Sequence, residues 1–390
     1  MIELKNGDIF EGQIEFSTNG NATFKIVDAE QDIFIYKKNT GKSLHLDTVK
    51  VQLFDVNNKL EGKVTNVISR FKKDYVGRVQ INKVSGTVFV VPDSNKIPVD
   101  FYIRGGLKAE DNQKVIVEFS KWSDDSKSPL GKITKILGNS GDNNTEMNSI
   151  MAEYGLPMEF PADVLTEAEL ISEEITEDEI NKRLDLRNII TIGIDPSDSK
   201  DADDTIGIEI LDNVYIVYIN IADVSHYVKE GTKLAIESEL RSSSIYLVDR
   251  VVPMFPKKLS NEICSLKSGK DKLSYSAIFT IDYDGNILDR KFCRTVINVN
   301  KDFSYEEAQS IIENGYNDSL SEIDKTVIIL DKIAKSIKSN RPQQLEINSS
   351  EPKFILDEKT KKVKGIYFKE QKDSNKLIEE FMLLANTEVA

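Results

Sequence analysis

Short runs of alternating apolar and polar residues fill the first third of the chain. They lie at 10–16, 22–27, 33–36 and 48–54, separated by Asn19-Gly20, Asn39-Thr-Gly41 and Asn57-Asn58. A period of two bounded by turn residues predicts strands. The order then recurs. Gly12-Gln-Ile14 matches Gly77-Arg-Val79, Gly20 with Phe24 matches Gly86 with Phe89, and 32–36 matches 100–104. Val49-Lys50-Val51 likewise matches Gln113-Lys114-Val115. A repeat of five short strands predicts two small closed barrels, at 1–57 and 58–138.

From 139 the pattern changes. Asn139-Ser-Gly-Asp-Asn-Asn-Thr-Glu146 reads as a polar linker, and helices are predicted at 147–154 and 161–171. Thr176-Glu-Asp-Glu179 is a capping box predicting a helix to 186. Residues 139–188 therefore form an acidic helical connector, for which a solvated spacer is the plain reading. From 189 to 390 strands and helices mix, which predicts an α+β domain. Strands are expected at 191–194, 205–210 and 214–221, and a helix or turn-and-helix at 227–241. A hairpin at 274–282 and 287–299 turns at Asp284-Gly285. Helices are expected at 305–314 and 319–339, a second hairpin at 353–368, and the start of a helix at 377–385.

Charge sharpens this division. The chain of 390 residues carries a formal −14. Residues 1–138 hold 21 Lys/Arg and 18 Asp/Glu, a net of +3, whereas the connector holds 3 and 13, a net of −10. The acid is concentrated in the connector and the third region, and the front is mildly basic. No apolar run is long enough to span a bilayer and no signal-peptide pattern follows Met1, so a cytoplasmic protein is expected. Cys264 and Cys293 read as reduced core residues. His45 and His226 are too few for a zinc site or a serine-protease triad, and a structural role is expected for His226. The serines at 242–244 lack a Gly-x-Ser-x-Gly elbow and read as turn chemistry. No phosphate-binding loop is present.

The candidate chemistry lies between the strands at 191–194 and 205–210. Asp195, Asp198, Asp201, Asp203 and Asp204 crowd there with one lysine and no arginine. Carboxylates so close repel one another unless a cation sits among them. Oxygen donors without Cys or His suit a hard cation, above all Mg²⁺. A solvated acidic loop is the alternative; an EF-hand is excluded because Lys200 stands where its glycine belongs.

The segment 194–204 resembles the signature of the ribonuclease II/ribonuclease R family. So do Ile221-Ala-Asp-Val-Ser-His-Tyr-Val228, Val252-Pro-Met-Phe-Pro256 with Leu259-Ser-Asn261, and 376–386, in the same order. The resemblance implies two oligonucleotide-binding (cold-shock-like) barrels before a ribonuclease II-like catalytic domain. It further implies a metal-dependent exoribonuclease that shortens single-stranded RNA from its 3′ end to nucleoside 5′-monophosphates. Asp195, Asp201, Asp203 and Asp204 match the family's metal-binding carboxylates, with Asp203 and Asp204 catalytic. Tyr246 matches a tyrosine that helps place the terminal nucleotide. The cold-shock likeness implies base stacking by Phe89, Phe101 and Tyr102 in the second barrel, and by Phe24, Phe34 and Tyr36 in the first. Arg70, Lys72, Lys73, Arg78 and Lys83 give the second barrel a basic approach. Glu380 lies on the apolar side of the last helix with Leu377, Phe381 and Leu384, so it is the expected inward carboxylate and Glu379 the outward one. A monomer acting on RNA without a membrane is expected.

Two departures stand out. Ala202 replaces a bulky aromatic between the aspartates, which predicts a packing change. The family's Ser-Pro-Ile-Arg-Arg-Tyr segment and C-terminal RNA-binding barrel have no match before Ala390. That predicts a fragment, or a shortened relative that holds RNA on an inactive nuclease core.

Overall fold

The computed structural model describes residues 4–390 except 30, 318, 342–350 and 358–361. It contains two compact units, Met1–Met158 and Glu159–Ala390.

The first unit holds both barrels. Strands β1 (Ile9–Phe16), β2 (Ala22–Phe24), β3 (Ile33–Ile35), β4 (Thr48–Val56) and β5 (Lys59–Ser69) close in the order β1-β2-β3-β5-β4. Strands β6 (Asp74–Ile81), β7 (Val88–Pro92), β8 (Phe101–Gly106), β9 (Gln113–Lys121) and β10 (Leu130–Asn139) repeat that order. The internal repeat is therefore one topology used twice. One boundary moves: β5 completes the first barrel, which ends at Ser69 rather than at residue 57. No strand is expected at 59–69 from the sequence, because the partners of β5, β3 and β4, are fixed by tertiary pairing.

Alternation puts Ile14, Phe16, Phe24, Ile35, Val51 and Leu53 inside the first barrel. The second core gathers Tyr75, Val79, Val90, Phe101, Val115, Val117 and Ile133, and it also takes Leu44, a fully buried residue from the loop before β4. A side chain of one barrel thus helps fill the core of the other. Helix α1 (Asn143–Glu153) packs on the second barrel. Gly77 is required where strands cross: a Cβ there would lie 2.5 Å from the Val91 carbonyl oxygen.

In the second unit, α2 (Ala162–Glu169) and α3 (Glu177–Ile180) precede a seven-stranded sheet. Helix α2 is not a free spacer, since Val164 and Ala168 are buried. The capping box yields only one turn: Thr176 accepts from the Glu179 amide, and the chain becomes strand β11 (Leu184–Asp185) where a helix was expected. Next come β12 (Ile190–Asp195), β13 (Asp204–Ile210), β14 (Val214–Ala222), α4 (Val224–Tyr227) and α5 (Lys233–Arg241). The short pair β15 (Ile245–Tyr246) and β16 (Val251–Val252) and a π-helical turn, Lys258–Ile263, lead to β17 (Asp271–Asp282), β18 (Ile287–Asn298) and β19 (Lys301–Ser304). The sheet order is β11-β18-β17-β14-β13-β12-β19, antiparallel except for its two edge pairs.

Helices α6 (Tyr305–Asn314), α7 (Glu322–Asn340) and α8 (Asp373–Val389) cover the face carrying Ile192, Ile206, Val217 and Phe279. The opposite face, with Tyr218, Ala222 and Ile297, packs against α2, α5 and the π-helical turn. A hairpin of β20 (Glu351–Leu356) and β21 (Val363–Lys369) stands apart from this sheet, and the expected turn between them lies outside the described residues. Among the described residues no helix is long and apolar enough to cross a membrane.

Candidate active site

Strand pairing fixes two of the aspartates. Asp195 ends β12, Asp204 begins β13, and β14 aligns Ile221 opposite Asp204. The loop between them carries Asp198, Asp201 and Asp203, and the Asp203 carbonyl accepts from the Ala222 amide at 3.0 Å. Asp198 is exposed. Tyr246 reaches the loop from the separate β15–β16 pair, and its hydroxyl donates to Asp201 Oδ2 at 2.9 Å.

The carboxylates feel one another. Burial, then the charges of Asp204, Asp203, Asp302 and Asp201, push the Asp195 carboxyl up to about 6. Burial and then Asp203 push Asp204 up to about 6 as well. Asp203 keeps solvent access at its surface, yet its dense surround and then Asp201 raise it too. Partial desolvation, the bond to Asp201 and the charge of that carboxylate push the Tyr246 phenol up to about 12. Tyr246 is 66% exposed, and its hydroxyl is held by the hydrogen bond to Asp201.

The donor set fits a hard cation in kind: several oxygen ligands, no soft ones, and mutual repulsion that positive charge would relieve. Among the described residues, however, no three His, Cys, Asp or Glu side chains converge closely enough to hold a metal ion. Ligation of a cation requires the carboxylates to draw together.

Two site residues escape sequence reasoning. Asp302 lies on β19, whose parallel pairing sets it beside Gly193, and it contributes to the raised Asp195. Tyr305 begins α6, and burial followed by Asp195 and Asp204 pushes its phenol up to about 12. Only the pairing of β12 with β19 brings them in, and nothing local in the sequence announces it.

Glu380 does face inward. It is 4% exposed, its Oε1 accepts from the Arg341 guanidinium at 2.7 Å, and Glu379 is turned outward. Ala202 is buried. His226 sits in an ion-pair cluster: its Nδ1 lies 3.3 Å from the buried Arg183, which also pairs with Glu179 and Asp223 at 2.8 Å each. His45 Nδ1 accepts from the Phe16 amide.

The barrel aromatics divide. Phe89 and Tyr102 face each other across β7 and β8 with ring centroids 5.7 Å apart, and Tyr102 is 39% exposed. Phe34 and Tyr36 form an edge-to-face pair at 4.8 Å on the first barrel, both well exposed. Phe101 and Phe24 are corrections. Both are core residues with almost no exposed surface and offer no face to a base. Adjacent strand residues point to opposite sides, so Phe101 and Tyr102 cannot share the outer surface. The basic approach is also weaker than its residue count. Arg70 pairs with the fully buried Asp47 and stacks on Phe119, and Lys72 bonds Glu153 at 2.7 Å. Lys73 and Arg78 remain exposed, and Arg78 bonds Asn112.

Two closed five-stranded barrels of the oligonucleotide-binding type are thus followed by a mixed sheet with acidic residues at a strand junction. Family matches place the chain further: the ribonuclease B OB domain at residues 12–67, a cold shock domain at 89–161, and the RNB domain at 183–390. The chain belongs to the ribonuclease II/ribonuclease R (RNB) family. It is 37% identical to ribonuclease R of Thermotoga maritima over 98% of this chain and 55% of the relative. It is 32% identical to the human exosome complex exonuclease RRP44 over 85% of this chain and 35% of the relative. It thus spans about half the length of the ribonuclease R relatives. Among solved structures, Mycoplasma genitalium RNase R in complex with ribose-methylated single-stranded RNA superposes with a TM-score of 0.88 at 23% identity, covering 98% of this chain and 61% of that one. Yeast Ssd1, a pseudonuclease, gives 0.65 at 16% identity, covering 98% and 54%.

Proposed function

We propose that this chain carries the barrels and metal-binding loop of a 3′-to-5′ exoribonuclease that hydrolyses single-stranded RNA to nucleoside 5′-monophosphates. The observation that carries the proposal is the pairing of clustered, mutually raised carboxylates with a tyrosine donor on Asp201. Asp195, Asp201, Asp203 and Asp204 would hold Mg²⁺. When bound, a divalent cation supplies Lewis acidity and neutralises charge at the scissile phosphate. Tyr246 orients Asp201 and offers a phenol at the edge of the site. Glu380, anchored by Arg341, is the inward carboxylate proposed to contact RNA. Phe89 and Tyr102 supply stacking surface, with the exposed Arg78 two residues along β6 from Gln80, the partner of Phe89.

A second reading, retention of RNA without hydrolysis, is favoured by the absence of a converged group of three ligands among the described residues. The test is incubation of the chain with 3′-labelled RNA and Mg²⁺. Release of mononucleotides, abolished by Asp203→Asn with RNA binding intact, is expected. RNA retained without shortening would favour the binding module.

A further inference from the structure

Sheet pairing fixes Asp195 and Asp204, and the Asp203 carbonyl accepts from the Ala222 amide, but the loop from Pro196 to Ala202 lies outside the ladder. A separate segment must hold the rest of that loop in place. The segment leaving the π-helical turn, Ser265 to Ser268, does so. Ser265 is 1% exposed, and its hydroxyl accepts from the Ala202 amide at 3.1 Å and donates to the Lys200 carbonyl at 3.3 Å. The next amide, Leu266, donates to the Ala202 carbonyl at 2.7 Å. Both backbone groups of the residue between Asp201 and Asp203 are therefore gripped from one side. Lys267 Nζ donates to the Ser199 carbonyl at 3.4 Å. Further along, the amide and hydroxyl of Ser268 hold Asp302 Oδ2 at 3.1 and 2.8 Å.

We infer that Ser265 is a positioning residue of the active site: its hydroxyl holds the backbone of the aspartate loop, the frame from which Asp201 and Asp203 draw together with Asp195 and Asp204 on one cation. The inference rests on the reading of those carboxylates as metal ligands. A residue that orients ligands from behind commonly changes metal affinity by about 10- to 100-fold when altered. A serine that merely satisfies buried backbone would lower stability and leave affinity alone.

Ser276 supplies the matched control. It is fully buried in the same sheet and bonds Asn220 and Thr295 rather than the loop. Ser265→Ala, Ser276→Ala and the unaltered chain are compared by Mn²⁺ titration followed by electron paramagnetic resonance, and by hydrogen exchange of the amides at 199–204. Ser265→Ala is expected to weaken Mn²⁺ binding about ten-fold or more and to speed exchange in that loop. Ser276→Ala is expected to do neither. If Ser265→Ala does not fold, Ser265→Cys, which keeps the side-chain shape and weakens both bonds to the loop, takes the same two measurements with the same expected direction. Unchanged Mn²⁺ affinity in the Ser265 variant of a chain that binds Mn²⁺, or equal weakening in the Ser276 control, would overturn the inference alone. A chain that binds no Mn²⁺ at all would overturn the metal reading, and the inference with it.

Discussion

The Tyr246 hydroxyl donates to Asp201 at 2.9 Å, joining a strand pair outside the central sheet to the loop between β12 and β13. The side chain is largely exposed, so this bond aims a group more than it supports the fold. Tyr246→Phe is expected to leave the melting temperature nearly unchanged. It should lower the rate of mononucleotide release by about 10- to 10³-fold, the range for loss of one aimed donor. Steady-state kinetics beside a thermal melt check both halves.

The raised carboxylates make a pH prediction. Asp204 ordinarily titrates near 3.8 and here near 6, so the folded chain binds more protons between those values. Its contribution to stability is therefore fully present in acid and falls as pH rises through that window. Moving a carboxyl from 3.8 to about 6 is worth at most about 3 kcal/mol. Asp204→Asn should raise the metal-free melting temperature at about pH 7.5 and leave it unchanged at about pH 3.5. Added Mg²⁺ should stabilise the unaltered chain at the higher pH, where protons no longer compete for the ligands.

Leu44 predicts coupling between the barrels. It comes from the first and is fully buried in the core of the second. Leu44→Ala should destabilise the second barrel by about 2–5 kcal/mol. Trp122, the single tryptophan, packs against that core, so its fluorescence during denaturant unfolding reports the loss directly.

The aromatic pairs separate platform from core. Tyr102→Ala or Phe34→Ala should weaken single-stranded RNA binding by about 1–3 kcal/mol, the usual worth of one stacked base. Phe101→Ala should instead cost about 3–5 kcal/mol of stability. Fluorescence anisotropy with labelled RNA, repeated after a melt of each variant, distinguishes them.

Much of this molecule is legible in the sequence. The repeat of Gly12 and Gly77 foretells two barrels, because each repeated strand meets equivalent neighbours. The helix at 305–314 coincides with its expected bounds, since Ser304 and Glu307 complete a capping box. Helical periodicity places Glu380 inward, on the side of Leu377, Phe381 and Leu384. What escapes depends on distant pairing. The first barrel needs β5, which only β3 and β4 identify as its closing strand. Asp302, Tyr305 and Ser265 enter the site through contacts with residues 60 to more than 100 positions away, so no local pattern marks them. Phe101 shows the opposite limit: an alternating pair reveals that one aromatic faces inward, without saying which.

Calorimetric titration of Mg²⁺ into the 390-residue chain and into Asp203→Asn/Asp204→Asn is the most direct test of the account. Saturable binding near neutral pH that disappears in the double variant is the predicted result. No binding to the unaltered chain, or equal binding to both, would contradict it.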